Sequence, residues 1–213
     1  MKAYLFYLAG VLLLTVPTGF FARKHCKVAT LAELADHARL RLGWLHLLNF
    51  IDLGRAYLGM TLLTAGFVTY EPAASDHLIT KIVLGIGALL GLALQHAFHR
   101  LDSDELTAPV AFAFGLALAI LPAKIVLLAL PLGIATAIAV RNLGAGLALA
   151  AFATALLGHL FRVSLPTLGT ACLLLFLPAL LAGLLQRRLV LTVRRGPAVR
   201  EAGFREINLP ASR

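Results

Sequence analysis

Apolar residues come in runs of about twenty along most of this chain, separated by short polar breaks. At about 1.5 Å rise per helical residue, such a run matches the roughly 30 Å hydrocarbon core of a bilayer. The pattern predicts about seven membrane-spanning helices. The first covers residues 3–21, with Pro17 as a kink. The second runs from Trp44 to Tyr70, whose rings fit the two interfacial belts. The third covers residues 79–98 and a shorter fourth covers 107–121. The last three cover 125–140, 143–161 and 167–185. No internal repeat is visible in the sequence, which argues against an inverted-repeat transporter.

The polar breaks set the orientation. Residues 23–42 form a basic loop in which Leu31, Leu34, Ala35, Ala38 and Leu42 recur at helical spacing between charged positions. Thr30 and Glu33 make a capping box there. This loop reads either as an amphipathic helix on the membrane surface or as a solvated charged segment. The stretch HAFHRLDSDEL after the third helix is the second charged loop. Arg141 and Asn142 form the third break on that side. Arg187, Arg188, Arg194, Arg195, Arg200, Arg205 and Arg213 crowd the end of the chain. Lysine and arginine collect on the cytoplasmic side, so the N-terminus is expected outside and the C-terminus inside. Lys2 before an apolar run also fits a signal peptide. The lack of a small-x-small cleavage site, and Arg23, Lys24 and Lys27 just after the run, favour a retained helix. The expected organisation is a transmembrane bundle over residues 1–186 and a basic, partly disordered cytoplasmic tail over 187–213.

Composition agrees with this all-α, polytopic membrane bundle. The chain has 213 residues, 60% hydrophobic and 14% charged, with a mean hydropathy of +0.90. Soluble domains are about half apolar and a quarter charged. The net charge of +9 does not indicate a nucleic-acid partner, because the cations sit at helix ends and in the tail, as topology demands. Cys26 and Cys172 make no disulfide framework or metal pattern. No G-x-S-x-G, H-E-x-x-H or P-loop sequence is present.

Candidate chemistry centres on residues 43–59, GWLHLLNFIDLGRAYLG, which place His46, Asn49, Asp52 and Arg55 at the start of the second helix. An ionisable residue in lipid costs roughly 2.5–3.5 kcal/mol on insertion scales, so such a group needs a partner or a task. Asp52 and Arg55, three apart, can pair along one helix face. Gln95, His96 and His99 close the third helix at the same side, and Arg141 and Asn142 close the fifth there. Two readings follow. Either the pair is neutralised structurally against its neighbours, or His46, Asn49, Asp52, Arg55, Arg141 and Asn142 line a cytoplasm-facing pocket for an anionic headgroup. His96 and His99 with Asp102 and Asp104 lack strong zinc-site spacing, and a haem between His46 and His96 is disfavoured further, so no metal or cofactor is expected. His159 and Arg162 read as interfacial, and Lys81 and Lys124 as snorkelling to the outer surface. Gly87 and Gly91, and Gly144 and Gly146, offer small faces for close helix packing.

Taken in order, these features resemble the bacterial acyl-phosphate-dependent glycerol-3-phosphate acyltransferases. Arg39, Leu42 and Gly43 are similar to the R-x-L-G that opens that family's second helix. Asp52, Arg55 and Ala56 are similar to its D-x-x-K-G. Gln95 and His96 stand where its third helix ends in G-H, with Thr107, Ala108 and Gly115 downstream. Arg141, Asn142, Leu143, Gly144 and Ala145 resemble its fifth-helix junction. The resemblance implies a seven-helix inner-membrane fold with the N-terminus outside and a cytoplasmic active site. In it, His96 would be the acid/base, and Arg55 and Arg141 would hold the anion. The family's phosphate-binding loops are replaced. Residues 25–42 contain no glycine, serine or asparagine, and the acidic DSDEL stands in place of a glycine-rich loop that would cradle phosphate.

Three functions remain on this reading. The first is a diverged acyltransferase-like protein of a bacterial cytoplasmic membrane, with altered or lost catalysis, binding an anionic lipid headgroup or acyl phosphate. The second is a non-enzymatic scaffold or accessory subunit with a membrane partner. The third is a small transporter subunit gated by Asp52 and Arg55.

Overall fold

The structure is a computed structural model, and it describes residues 2–16, 26–29, 47–70, 78–97, 105–107 and 109–194. Seven helices and three short strands make up these residues. The helices are α1 (Lys2–Thr15), α2 (Leu47–Tyr70), α3 (Leu78–Ala97), α4 (Val110–Ile120), α5 (Ala123–Val140), α6 (Leu143–Leu160) and α7 (Leu165–Leu184). The strands are β1 (Cys26–Ala29), β2 (Glu105–Thr107) and β3 (Arg188–Arg194). By length and composition α3, α5, α6 and α7 can each cross a membrane, and α1 and α4 are shorter apolar helices. At 24 residues α2 is also long enough, but Asp52 and Arg55 lower its hydropathy.

Local chemistry explains the boundaries. Pro109 and Pro122 precede α4 and α5, and Pro166 lies in the first turn of α7, where a missing N–H costs nothing. Thr15, Thr61, Thr64, Thr69 and Thr170 each donate their hydroxyl to the carbonyl four residues back, the internal satisfaction that lipid demands. Helices α5, α6 and α7 end alike. Arg141, Arg162 and Gln186 adopt left-handed backbone at φ 54°, 55° and 52°. The following amide returns to a carbonyl five residues earlier, as in Asn142 to Ala137, Val163 to Gly158 and Arg187 to Ala182.

Two hydrophobic cores share α4 and α7. One gathers Leu14, Ala56, Met60, Leu92, Phe112, Leu116 and Leu174, uniting α1, α2, α3, α4 and α7. The other gathers Phe114, Leu121, Ile125, Leu147, Ala150 and Leu175, uniting α4 to α7. Residues Phe112 to Ala117 of α4 are buried in succession, so this helix is enclosed on all sides and contacts protein rather than lipid. Glycines permit the tightest contacts. A Cβ on Gly10 would stand 2.8 Å from the Gly59 carbonyl, one on Gly115 would strike the Leu53 carbonyl, and one on Gly146 would strike Ala137. The rings of Tyr7 and Phe67 meet edge to face at 5.1 Å where α1 lies on α2.

Several expectations change. The described part of the first helix ends at Thr15, with a bend at Val16, and the remainder of the span expected to residue 21 lies outside the described residues. Thr107 belongs to β2 rather than to a helix, and residues 188–194, read as tail, form β3. Gly87 faces open space, so the packing glycines of α3 are Gly85, against Thr170, and Gly91, against Leu14. The surface helix expected over 30–42 lies outside the described residues, as do the outer loop at 71–77 and the tail beyond 194.

The strands assemble in the order β1-β3-β2. β1 runs antiparallel to β3 with Cys26 opposite Arg194, and β2 runs parallel to it with Glu105 opposite Arg188. They come from the segment after α1, the segment before α4 and the segment after α7. The sheet therefore sits at one end of the bundle, the end where Asp52, Gln95 and the α5–α6 turn also lie.

Candidate functional site: an arginine that closes a helix end

The last four carbonyls of any α-helix lack intrahelical donors. At the end of α1 the shortage is sharpened. The amide that would serve Leu13 belongs to Pro17, which has no hydrogen. Two side chains from other helices fill the gap. Arg55 on α2 donates from Nη1 to the Leu13 carbonyl at 3.0 Å, and Gln95 on α3 donates from Nε2 to the Leu14 carbonyl at 3.1 Å.

The same guanidinium is held on its other side. Nη2 donates to Asp52 Oδ1 at 2.9 Å and to Gln95 Oε1 at 3.2 Å. The i, i+3 pair expected from spacing therefore forms. Its environment is unequal: Arg55 is only 8% exposed, while the Asp52 side chain keeps 23%. The ring of Phe112 on α4 lies under the guanidinium, 4.9 Å from Cζ to the ring centroid. The cation also lies at the C-terminal, partially negative end of α1. Among the described residues, Arg55 Nε is buried without a hydrogen-bond partner.

This arrangement joins α1, α2, α3 and α4 through one side chain. It stabilises a cation in an apolar core by supplying a carboxylate, an amide, a backbone carbonyl and an aromatic face. It leaves little of the guanidinium for a ligand. Three of its five N–H groups are engaged by protein acceptors, and the residue is 8% exposed.

The other expected site residues fall elsewhere. Asn49 lies one turn before Asp52 and is half-buried. Arg141 and Asn142 form the α5–α6 turn, next to Leu143 of the second core. The Asn142 side chain accepts from the Ala145 amide at 3.3 Å and so caps α6. A Cβ on neighbouring Gly144 would meet Leu189 of β3 at 3.6 Å and Ala179 of α7 at 3.8 Å, which puts this turn against the sheet and α7. His46, His99 and the side chain of His96 lie outside the described residues. Among the described residues no group of three His, Cys, Asp or Glu side chains could hold a metal ion. At the opposite end Lys124 Nζ stands 4.1 Å over the Phe161 ring, near His159 and Arg162.

Sequence reasoning placed Gln95 at the right depth but gave it no role, and it missed Phe112 and the α1 carbonyls. The signal for the carbonyls was Pro17, which strips a donor from a known position. The signal for Gln95 was a long amide at the same end as the Arg55 charge. No protein-family model, curated protein or solved structure matches the chain.

Proposed function

We propose that this chain is a non-enzymatic scaffold or accessory subunit of a bacterial cytoplasmic membrane, with the Asp52–Arg55 pair as an internal fastening. The observation that carries the reading is the state of Arg55: buried, paired with Asp52 and committed to the α1 carbonyl of Leu13. A cation kept for a headgroup or an acyl phosphate would turn most of its donors toward a cavity, whereas three of the five N–H groups of Arg55 are engaged by protein acceptors.

Seven crossings fit the sheet. Strands bonded to one another lie on one side of a membrane, so an even number of spans must separate them. If only the four longest apolar helices crossed, one span would part β1 from β2 and three would part β2 from β3. Adding α2 and α4 makes these numbers two and four. α4 is short, about 16 Å at 1.5 Å per residue, but it is buried among helices that reach further. Of the 19 lysines and arginines, all but Lys2, Arg55, Lys81, Lys124 and Arg162 fall in segments that join helices at the sheet end or follow α7. The positive-inside rule then makes that end cytoplasmic and the N-terminus external.

The direct test is an assay of the purified protein with acyl phosphate and glycerol 3-phosphate. We expect no turnover. Turnover abolished by His96→Ala would restore the acyltransferase reading. Reporters fused after Arg213 and at Ser75 test the orientation: the first should read cytoplasmic and the second external, and reversed signals would overturn it.

A further inference from the structure

Three cations stand at the end of the bundle away from the sheet. Lys81 lies in the first turn of α3, Lys124 in the first turn of α5, and Arg162 between α6 and α7. None of the three has an ion pair among the described residues. The described residues at this end include no carboxylate side chain, and Glu71 and Asp76, in the loop that joins α2 to α3, lie outside them. The start of α7 is framed by these cations. α3 and α7 both run from this end toward the sheet, and a Cβ on Gly85 of α3 would stand 2.7 Å from the Thr170 hydroxyl. Lys81 is half-buried one turn before Gly85, on the same face of α3. It therefore comes level with Pro166, one turn before Thr170. On the other flank, a Cβ on Gly158 of α6 would strike Leu168, and Cys172 Sγ donates to the Ala151 carbonyl at 3.5 Å. Arg162 closes that flank, exposed, one residue past Phe161, whose ring carries the Lys124 ammonium at 4.1 Å. Between the flanks Leu165, Gly169 and Leu173 follow at i, i+4 and i+8 on the outward face of α7. Leu165 is 77% exposed, and nothing lies within 4 Å of a Cβ on Gly169, so the apolar stripe is open below the cations.

We propose that this end of the bundle binds an anionic phospholipid of the adjoining leaflet. The phosphodiester lies between Lys81 and Arg162, with Lys124 beyond Arg162. One acyl chain runs down the stripe of Leu165, Gly169 and Leu173. Cations at the rim and an open apolar stripe beneath them match a charged headgroup joined to a chain, and free phosphate would use the rim alone. Arg55 differs in kind: its donors are spent on protein acceptors, whereas Arg162 keeps its own for an outside anion. The site requires that α3, α6 and α7 lie in a membrane, and it is independent of which side is cytoplasmic.

Quenching of tryptophan by brominated lipids reads the lipid beside a chosen residue. Trp44 is the only tryptophan, so Trp44→Phe with Leu165→Trp places a single reporter at the site. In vesicles of phosphatidylglycerol and phosphatidylcholine, with one or the other brominated, that reporter should show a preference of roughly fivefold or more for phosphatidylglycerol. Lys81→Gln with Arg162→Gln should bring the two lipids to parity, and Lys81→Arg with Arg162→Lys should keep the preference. A second reporter, Ile138→Trp at the sheet end, should be unmoved by either pair of substitutions. Millimolar inorganic phosphate should leave the preference at Leu165→Trp intact. Parity at Leu165→Trp with all three cations present would overturn the site, and so would a preference that survives Lys81→Gln with Arg162→Gln. Loss of the preference on adding inorganic phosphate would overturn the lipid as occupant in favour of a free anion. An equal fall at Ile138→Trp would overturn it too, because net charge rather than these side chains would then be at work. If the double glutamine variant does not accumulate in membranes, the single substitutions decide, each expected to lower the preference about twofold or more.

Discussion

Arg55 Nη1 donates to the carbonyl oxygen of Leu13, 3.0 Å away and 42 residues earlier in the chain. The bond explains why an arginine survives in an apolar helix. Pro17 denies that carbonyl its ordinary donor, and the guanidinium supplies one from a neighbouring helix. The arginine is in turn held by Asp52 and Gln95. Each group answers an unsatisfied partner created by another.

The first prediction separates this chain of dependence from a simple ion pair. Arg55→Met leaves the Asp52 charge uncompensated and the Leu13 carbonyl without a donor, and should destabilise by about 3–5 kcal/mol. Asp52→Asn should cost less, because Asp52 is partly exposed and asparagine keeps an acceptor. The double substitution should recover only part of the Arg55→Met loss, since the Leu13 carbonyl stays orphaned at about 1–3 kcal/mol. Adding Pro17→Ala to Arg55→Met restores a backbone donor and should return about 0.5–1.5 kcal/mol. Unfolding curves in mild detergent give all four values. Full recovery in the Asp52/Arg55 double would mean that the Leu13 bond carries nothing.

Gln95 offers an independent check. Gln95→Leu removes the donor to Leu14 and one acceptor of Arg55, so it should destabilise by about 1–3 kcal/mol. Limited proteolysis should show α1 attacked before the α5–α7 half. Uniform loss of protection across the bundle would count against a local role at the α1 end.

What was legible in the sequence followed physical range. Lipid-length apolar runs announce themselves within one segment, so the boundaries of α5, α6 and α7 were foreseen within two residues. The Asp52–Arg55 pair was equally local, since spacing on one helix decides it. Gln95 reaching Leu14 is 81 residues removed, and no periodicity reports on such a contact. The sheet was missed for a related reason. CKVA and ELT are too short to display alternation, and they become strands only because RLVLTVR arrives between them. Gly87 misled because a small-xxx-small spacing shows that two helices are able to approach, and only the neighbours show whether they do.

The glycines give a graded prediction. Gly146→Ala drives a methyl into Ala137 and the Gly133 carbonyl where α5 meets α6, both on rigid backbone. It should destabilise by about 1–3 kcal/mol, the usual range for overpacking. Gly87→Ala enters open space and gains helix propensity, so it should be neutral or stabilising by up to about 1 kcal/mol. Thermal unfolding of the two variants side by side reads the contrast. Equal losses would mean that the α3 face is covered after all.

The last prediction concerns the three helix ends built alike. Arg141, Arg162 and Gln186 occupy left-handed backbone, where a Cβ crowds the following carbonyl and glycine does not. Each sits where a glycine ordinarily closes this type of helix end. Replacement by glycine should therefore relieve strain of about 1 kcal/mol, less whatever the lost side chain contributed. Arg162→Gly is the cleanest of the three, because its side chain is exposed and has no resolved ion pair among the described residues. Arg162→Gly should raise the melting temperature, and Arg162→Val, β-branched at the same φ, should lower it. Arg141→Gly and Gln186→Gly should gain less, since Arg141 has an interaction of its own and Gln186 leads directly into β3. A melting temperature that falls for Arg162→Gly as it does for Arg162→Val would show that the cation at this membrane edge outweighs the backbone strain beneath it.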